Sequence, residues 1–332
     1  MSPEHPPGAA PVTRRPLIIA GMPRSGTTWT KQVLECDPSL HSLMEPDSEG
    51  HRASAIWAKR HAGRFPALVP GEPGGRYHRL WAWILEGAHE SLRLRSAEQV
   101  LRIVRPPERN SFLSGNTSPR MSLAATLGAH PSPRRSPALA DHRLLVKTVH
   151  APLAVDWLAS EFDVDVVMVL RHPGSVLASW ISLDYVDQYV PFEGLPGVQR
   201  VAEELGVAPP GPDHLTRMIW RIGVLLCSLE RAADRHPDWV VRTHEQLCRD
   251  PQEEFRQLYS DLGLRWNEDA ERNLVENDEP GRRFLTKRVA AELPDNWKQR
   301  LTPSQITELR RVLEPFPLTR WKSDDFRWAP DA

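Results

Sequence analysis

The 332-residue sequence predicts an α/β fold, a three-layer sandwich in which a central parallel sheet carries helices on both faces. Three observations predict it. Four short apolar runs rich in β-branched residues (16–21, 143–148, 165–170 and 239–244) read as strands buried on both faces. Helical patterns lie between these runs, and strands that alternate with helices build parallel sheets. A turn with two glycines, "GMPRSGTTW", joins the first run to a helical pattern.

In chain order, the first fifteen residues hold no apolar core and read as a disordered tail without a signal peptide. Residues 16–332 then read as a single domain. After the first strand and its turn, Trp29, Val33 and Leu34 share one helical face. Residues 46–142 are rich in proline and tryptophan, and they read as an insertion that shapes an acceptor site. A short amphipathic helix is expected over 152–160, between the strands 143–148 and 165–170. The loop 184–197, "DYVDQYVPFEGLPG", reads as a segment that closes over the site. Met218, Ile222, Leu225, Leu226 and Leu229 predict a helix over 214–236, and Phe255, Leu258, Tyr259 and Leu262 predict another. Thr302-Pro303-Ser304-Gln305 is a capping box with proline at the first helical position, ahead of the stripe Ile306, Leu309, Val312 and Leu313.

Composition narrows the function. Forty-two basic residues face forty-three acidic ones, so the chain has no overall field for nucleic acid or an anionic membrane. Three scattered cysteines make neither a disulfide framework nor a zinc site, and they point to a reducing, cytoplasmic setting. No run reaches the roughly 20 apolar residues of a membrane span.

Ligands of parallel sheets bind at the carboxyl ends of the strands, so the residues that leave each strand carry the chemistry. The first turn fits the phosphate-loop spacing G-x-x-x-x-G-K-[ST] in part, which makes the fold P-loop-like. Gly21 and Gly26 hold the glycine positions and Thr28 the Ser/Thr position, but Thr27 stands where lysine belongs. Backbone N–H groups at such a helix start cradle an anion. The hydroxyls of Ser25, Thr27 and Thr28 add donors, and Arg24 can reach a transferring anionic group. The strand 165–170 ends in Arg171, not in the aspartate that holds Mg²⁺ in ATP sites. An anion bound without a metal suits this set. Arg171 and Ser179, eight residues apart, can hold a second phosphate. A lysine at the buried end of a strand, as Lys147 is, needs an anionic partner.

Pro23-Arg24-Ser25-Gly26-Thr27-Thr28-Trp29 and the Arg171–Ser179 pair resemble the sulfotransferases that use 3′-phosphoadenosine 5′-phosphosulfate (PAPS). The arginine form of the loop is more like the tyrosylprotein type and bacterial members than the lysine form of cytosolic enzymes. The resemblance implies that the loop holds the 5′-phosphosulfate and that Arg171 and Ser179 bind the 3′-phosphate. "HEQLCRDP" (244–251) is similar to the family's segment after a late strand and implies that His244 lies near the adenine. "TKRVAAELPDNWKQR" resembles the C-terminal clamp, with Lys287 and Arg288 as the basic pair before Trp297-Lys298.

The resemblance also assigns roles. Glu45, in "HSLMEPDSEG", corresponds to the tyrosylprotein-type base, with Asp47 and Glu49 as local alternates. A carboxylate near a buried anion site is expected to have a raised pKa. Lys147 corresponds to the lysine that stabilises charge on the transferred group. His150 corresponds to the histidine base of cytosolic relatives, offset by one residue. The implied reaction moves a sulfuryl group from PAPS to a hydroxyl of a small molecule, glycan or peptide. An ATP-dependent P-loop kinase and a catalytically idle nucleotide-binding module remain the alternatives.

Overall fold

A computed structural model describes residues 15–50, 52–86, 119–128, 141–183, 192–277 and 294–321. Its centre is a five-stranded, wholly parallel sheet: β1 (Leu17–Gly21), β2 (Leu40–Met44), β3 (Arg143–Thr148), β4 (Asp165–Leu170) and β5 (Val240–Thr243), in the spatial order β2-β3-β1-β4-β5. The strands expected at 16–21, 143–148 and 165–170 are present. The run 239–244 forms a shorter strand, and His244 already starts the next helix.

β2 is an additional strand that the apolar runs did not predict. Its sequence, LHSLM, buries only Leu40 fully, because an edge strand is paired on one side and half covered. This strand matters, because it delivers Glu45 to the carboxyl edge.

Side-chain alternation along the strands makes the two helical layers. Leu17, Ile19, Leu145, Val167 and Val169 face one side. There they meet α1 (Thr27–Leu34), α9 (His244–Arg249), α10 (Pro251–Asp261) and α11 (Glu268–Asn277), through Val33, Leu247, Phe255, Leu258 and Leu274. Ile18, Ala20, Val146, Val166, Met168 and Leu170 face the other side. That side is covered by α3 (Gly75–Leu85), α5 (Val155–Glu161), α6 (Pro173–Ser182), α8 (His214–Arg235) and α13 (Pro303–Leu313), through Trp81, Trp157, Leu177, Leu225 and Leu309. The remaining helices are α2 (Ala53–Lys59), α4 (Pro119–Gly128), α7 (Pro196–Leu205) and α12 (Trp297–Arg300). The described part of 46–142 thus contributes Ile84, Trp81 and Tyr77 to the same core as the sheet.

Caps fix several helix starts as the sequence predicts. Thr302 Oγ1 accepts the N–H of Gln305, and the Gln305 side chain accepts the N–H of Thr302. Asp213 caps α8 by accepting the N–H of Thr216 at 2.8 Å. Among the described residues no helix is long and apolar enough to cross a membrane.

α8 approaches the C-terminal segment closely at Gly223, where a Cβ would lie 2.7 Å from the buried Phe316 ring. Gly223→Val should therefore overpack this contact and lower the unfolding free energy by about 2 kcal/mol, read from urea denaturation. An unchanged midpoint would show that the helix does not depend on this approach.

Candidate active site

Strand order places the site. β1 lies between β3 and β4, and the chain runs outward from it in both directions, so the crevice beyond its carboxyl end is the switch point of the sheet. The β1–α1 loop fills that crevice. Ser25 N–H donates to Met22 O and Thr30 N–H to Gly26 O, which closes the turn onto α1. The end of β4 and helix α6 hold the loop. Trp180 Nε1 donates to Pro23 O at 3.1 Å, Arg171 Nη1 donates to Arg24 O at 2.8 Å, and Arg24 Nε donates to Ser179 Oγ at 3.0 Å. The predicted loop residues and the predicted Arg171–Ser179 pair therefore meet.

Only glycine suits position 26. Its φ is +95°, and a Cβ there would stand 2.3 Å from the His244 ring. At Gly21 a Cβ would meet Ser25 Oγ and Val169 O, each at 2.6 Å. No side chain caps α1 and its first turn has no acid. Its N-terminal amides and the hydroxyls of Thr27 and Thr28 thus form a helix start of the kind that can cradle an anion. Ser25 Oγ and Arg171 Nε are buried and have no hydrogen-bond partner among the described residues. Buried polar atoms of this kind need a partner, which a bound anion supplies.

Trp29 lies on the outer side of α1, packed edge-on against Phe255 at 4.9 Å and His244 at 6.0 Å. The pairing Leu170↔Thr243 sets Arg171 beside His244. Burial, then the charges of Arg171 and Arg24, hold His244 well below the usual histidine range. Burial also depresses Arg171, against the opposing charge of Glu245. Glu245 is a site residue that sequence reasoning missed. It is buried, accepts the His172 N–H at 3.1 Å, and is pushed up by burial.

On the other side of β1, the pairings Ile19↔Lys147 and Met44↔Lys147 bring Lys147 between the loop and the end of β2. Glu45 follows directly. Its N–H donates to Lys147 O at 2.8 Å, and its side chain forms an ion pair with Lys147 Nζ. His150 Nε2 stands 3.5 Å from the second carboxylate oxygen. The chain turns after Thr148, so the one-residue offset does not carry His150 away; it and Lys147 reach the same carboxylate.

The expectation of a raised pKa for Glu45 is corrected. Burial does push it up, but the His150 hydrogen bond and the Lys147 charge outweigh that and hold it below the usual carboxylate range. Burial lowers Lys147, with Glu45 opposing. Asp47 and Glu49 do not stand open as alternates to Glu45. Asp47 accepts hydrogen bonds from Thr148 Oγ1 at 2.8 Å and Tyr77 OH at 3.2 Å. Glu49 pairs with Lys59 at 3.0 Å and Arg64 at 3.1 Å. The sequence held no signal for these partners beyond the presence of the charges.

His172 caps α6 by accepting the Gly174 N–H on Nδ1, and its ring stacks on Trp297 at 4.7 Å. Trp297 of the predicted C-terminal segment therefore lies against the turn after β4. Lys287, Arg288 and residues 184–191 of the expected closing loop lie outside the described residues. Phe192 and Glu193, within that expected loop, make defined contacts. Phe192 packs edge-on to Phe65, and Glu193 accepts two hydrogen bonds from Arg221, at 2.6 and 3.1 Å.

Comparison with known proteins bears on this geometry. No curated protein matches the chain. Among solved structures, the sulfotransferase domain from the curacin biosynthetic pathway is 17% identical and covers 90% of this chain and 96% of its own, with a TM-score of 0.47. The sulfotransferase domain of the Synechococcus PCC 7002 olefin synthase is 16% identical, covering 93% and 98%, with a TM-score of 0.42. Sulfotransferase STF1 from Mycobacterium tuberculosis H37Rv is 17% identical, covering 92% and 77%, with a TM-score of 0.39. Residues 16–204, more than half of the chain, match the model of the Sulfotransferase family, a stretch that contains the β1–α1 loop, Glu45, Lys147, His150, Arg171 and Ser179. This chain belongs to the sulfotransferase family.

Proposed function

We propose that the protein transfers a sulfuryl group from PAPS to the hydroxyl of a small-molecule, glycan or peptide acceptor. One observation carries this reading. A cradle with buried, unpartnered donors (Ser25 Oγ, Arg171 Nε) lies on one side of Lys147, and a carboxylate, Glu45, lies on the other. The donor has two separated anionic ends, and the residues fit both. Ser25, the amides at Gly26, Thr27 and Thr28, and Arg24 would hold the phosphosulfate end. Arg171 and Ser179 would hold the 3′-phosphate, with Lys287 and Arg288 completing that clamp. Trp29 and His244 would wall the nucleoside. When bound, PAPS supplies an activated sulfuryl group on a phosphate leaving group.

The chain's own residues then do three things. They hold donor and acceptor in line, which lowers the entropic part of the barrier. Arg24 and Lys147 place positive charge beside the group that moves. Glu45 takes the acceptor's proton; it is ionised at neutral pH and so ready to accept. A depressed pKa makes it a weaker base than an ordinary carboxylate, which is why a further proton acceptor behind it matters.

Adenosine 3′,5′-bisphosphate without Mg²⁺ should raise the melting temperature; at about 100 times its Kd the gain is roughly 2.7 kcal/mol. Stabilisation by Mg·ATP alone would assign the site to a kinase instead. With labelled PAPS and a panel of hydroxylated acceptors, Glu45→Ala and Lys147→Ala should each lower transfer by about 10²–10⁴-fold. Intact transfer in both would remove these residues from the mechanism. Losing the ammonium in Lys147→Met removes a charge that favours the carboxylate, so the Glu45 carboxyl should titrate at a higher pH than in the wild type by carbon-13 NMR. No upward movement would mean that the ion pair is not formed in solution.

A further inference from the structure

Behind Glu45 lies a row of buried groups that the proposed transfer does not yet use. His150 is enclosed, with Nε2 3.5 Å from Glu45 Oε2 and Nδ1 3.5 Å from Glu49 Oε2. Phe65 stacks over the ring at 6.4 Å. Glu49 is itself held by Lys59 and Arg64, and Lys59 Nζ also donates to Arg64 O at 2.9 Å. So the histidine has a carboxylate at each nitrogen, and the outer one is immobilised.

Charge decides the protonation of the ring. Two carboxylates (Glu45, Glu49) and two cations (Lys59, Arg64) act on it, and two against two leaves no net charge to offset an imidazolium. Burial and the Lys59 and Arg64 charges act in the same direction, keeping His150 below the usual histidine range against Glu49 and Glu45. A neutral imidazole has one N–H, yet two carboxylate oxygens face it. One of the two contacts therefore lacks a proton; for the ring to take a proton from Glu45 that contact is Nε2 with Glu45, the single N–H standing on Nδ1 toward Glu49.

We propose that His150 is the second proton acceptor of the reaction and Glu49 its positioning residue, so that Glu45, His150 and Glu49 form a chain one proton short of complete in the resting enzyme. This rests on the reading of Glu45 as the base. The acceptor oxygen forms its bond to sulfur as the bond from sulfur to the nucleotide oxygen breaks, with that electron pair leaving on the phosphate. The acceptor's O–H proton passes to Glu45 and on to His150. The ring then carries both N–H groups, one toward each carboxylate, and the chain returns the proton to solvent once product leaves. Glu49 touches no reacting atom; it orients the ring and favours its charged form.

The test needs no acceptor. Nitrogen-15 NMR of the full-length wild-type protein, with the His150 signal assigned by its loss in His150→Gln, should show a neutral ring at pH 7.5 that gains one proton on acidification. Glu49→Gln should weaken that proton affinity about tenfold, a shift of about one pH unit. A ring already charged at pH 7.5 overturns the proposal, and that measurement stands even if Glu49→Gln fails to fold. An unmoved titration in Glu49→Gln overturns it too. On any hydroxyl compound that the wild type sulfates, Glu49→Gln should lower kcat about 10- to 100-fold, with the KM for PAPS within twofold. A matching loss in KM, or an unchanged kcat, would reduce Glu49 to a structural ion pair. Failure to bind adenosine 3′,5′-bisphosphate would defeat the proposed function but leave the ring titration as a separate result.

Discussion

Lys147 leaves the central sheet inside the protein, and a buried ammonium needs a carboxylate beside it. Much of the site follows from meeting that need. The carboxylate is Glu45, and it arrives only because β2 pairs with β3 in the register that sets Met44 against Lys147. Glu45 then draws His150, which draws Glu49, which requires Lys59 and Arg64. The edge strand, the start of the 46–142 region and the turn after β3 are tied together by one chain of charges. Parallel strands make this possible, because all five release their chains at the same edge.

The two sides of β1 handle charge differently. On the β3 side, three cations stand among three carboxylates, and the cluster is balanced without a ligand. On the β4 side, Arg24 and Arg171 lie close enough to depress each other's neighbour His244, and Glu245, raised by burial, is the carboxylate facing Arg171. A buried region with two guanidinium groups and unpartnered donors (Ser25 Oγ, Arg171 Nε) is one that an anion can satisfy.

What could be read from the sequence divides along the same lines. The β1–α1 loop, Arg171 with Ser179, and Lys147 were legible because each sits in a contiguous pattern: a strand, then a turn or helix whose residues carry the chemistry. β2 was not, since LHSLM is interrupted by His41 and Ser42 and this edge strand shows no continuous apolar run. In "EPDSE" three acids look alike; only their partners separate them. Thr148 and Tyr77 close off Asp47, Lys59 and Arg64 close off Glu49, and Glu45 keeps partial exposure. The pKa of Glu45 ran opposite to expectation for a related reason. Burial could be anticipated from the strand end, but the approach of His150 depends on how the chain turns after Thr148.

Backbone strain marks the same two residues from an independent direction. Apart from glycines, only Arg24, Glu45 and His61 among the described residues have positive φ, at 75°, 46° and 72°. Such conformations cost of order 1–3 kcal/mol each and persist where surrounding bonds over-determine them. Both site residues meet that condition. Arg24 is held through its carbonyl by Arg171 and through its side chain by Ser179, and Glu45 is held through its N–H by the Lys147 carbonyl and through its carboxylate by Lys147 Nζ. In each case the residue that pins the backbone is a cation of the site itself. The guanidinium and the carboxylate are therefore each fixed by a cation at the carboxyl edge of the sheet, Arg171 for Arg24 and Lys147 for Glu45. A relaxed backbone at either position would release one of these bonds, so the strain is the consequence of holding two opposed charges at set positions rather than of a poor turn.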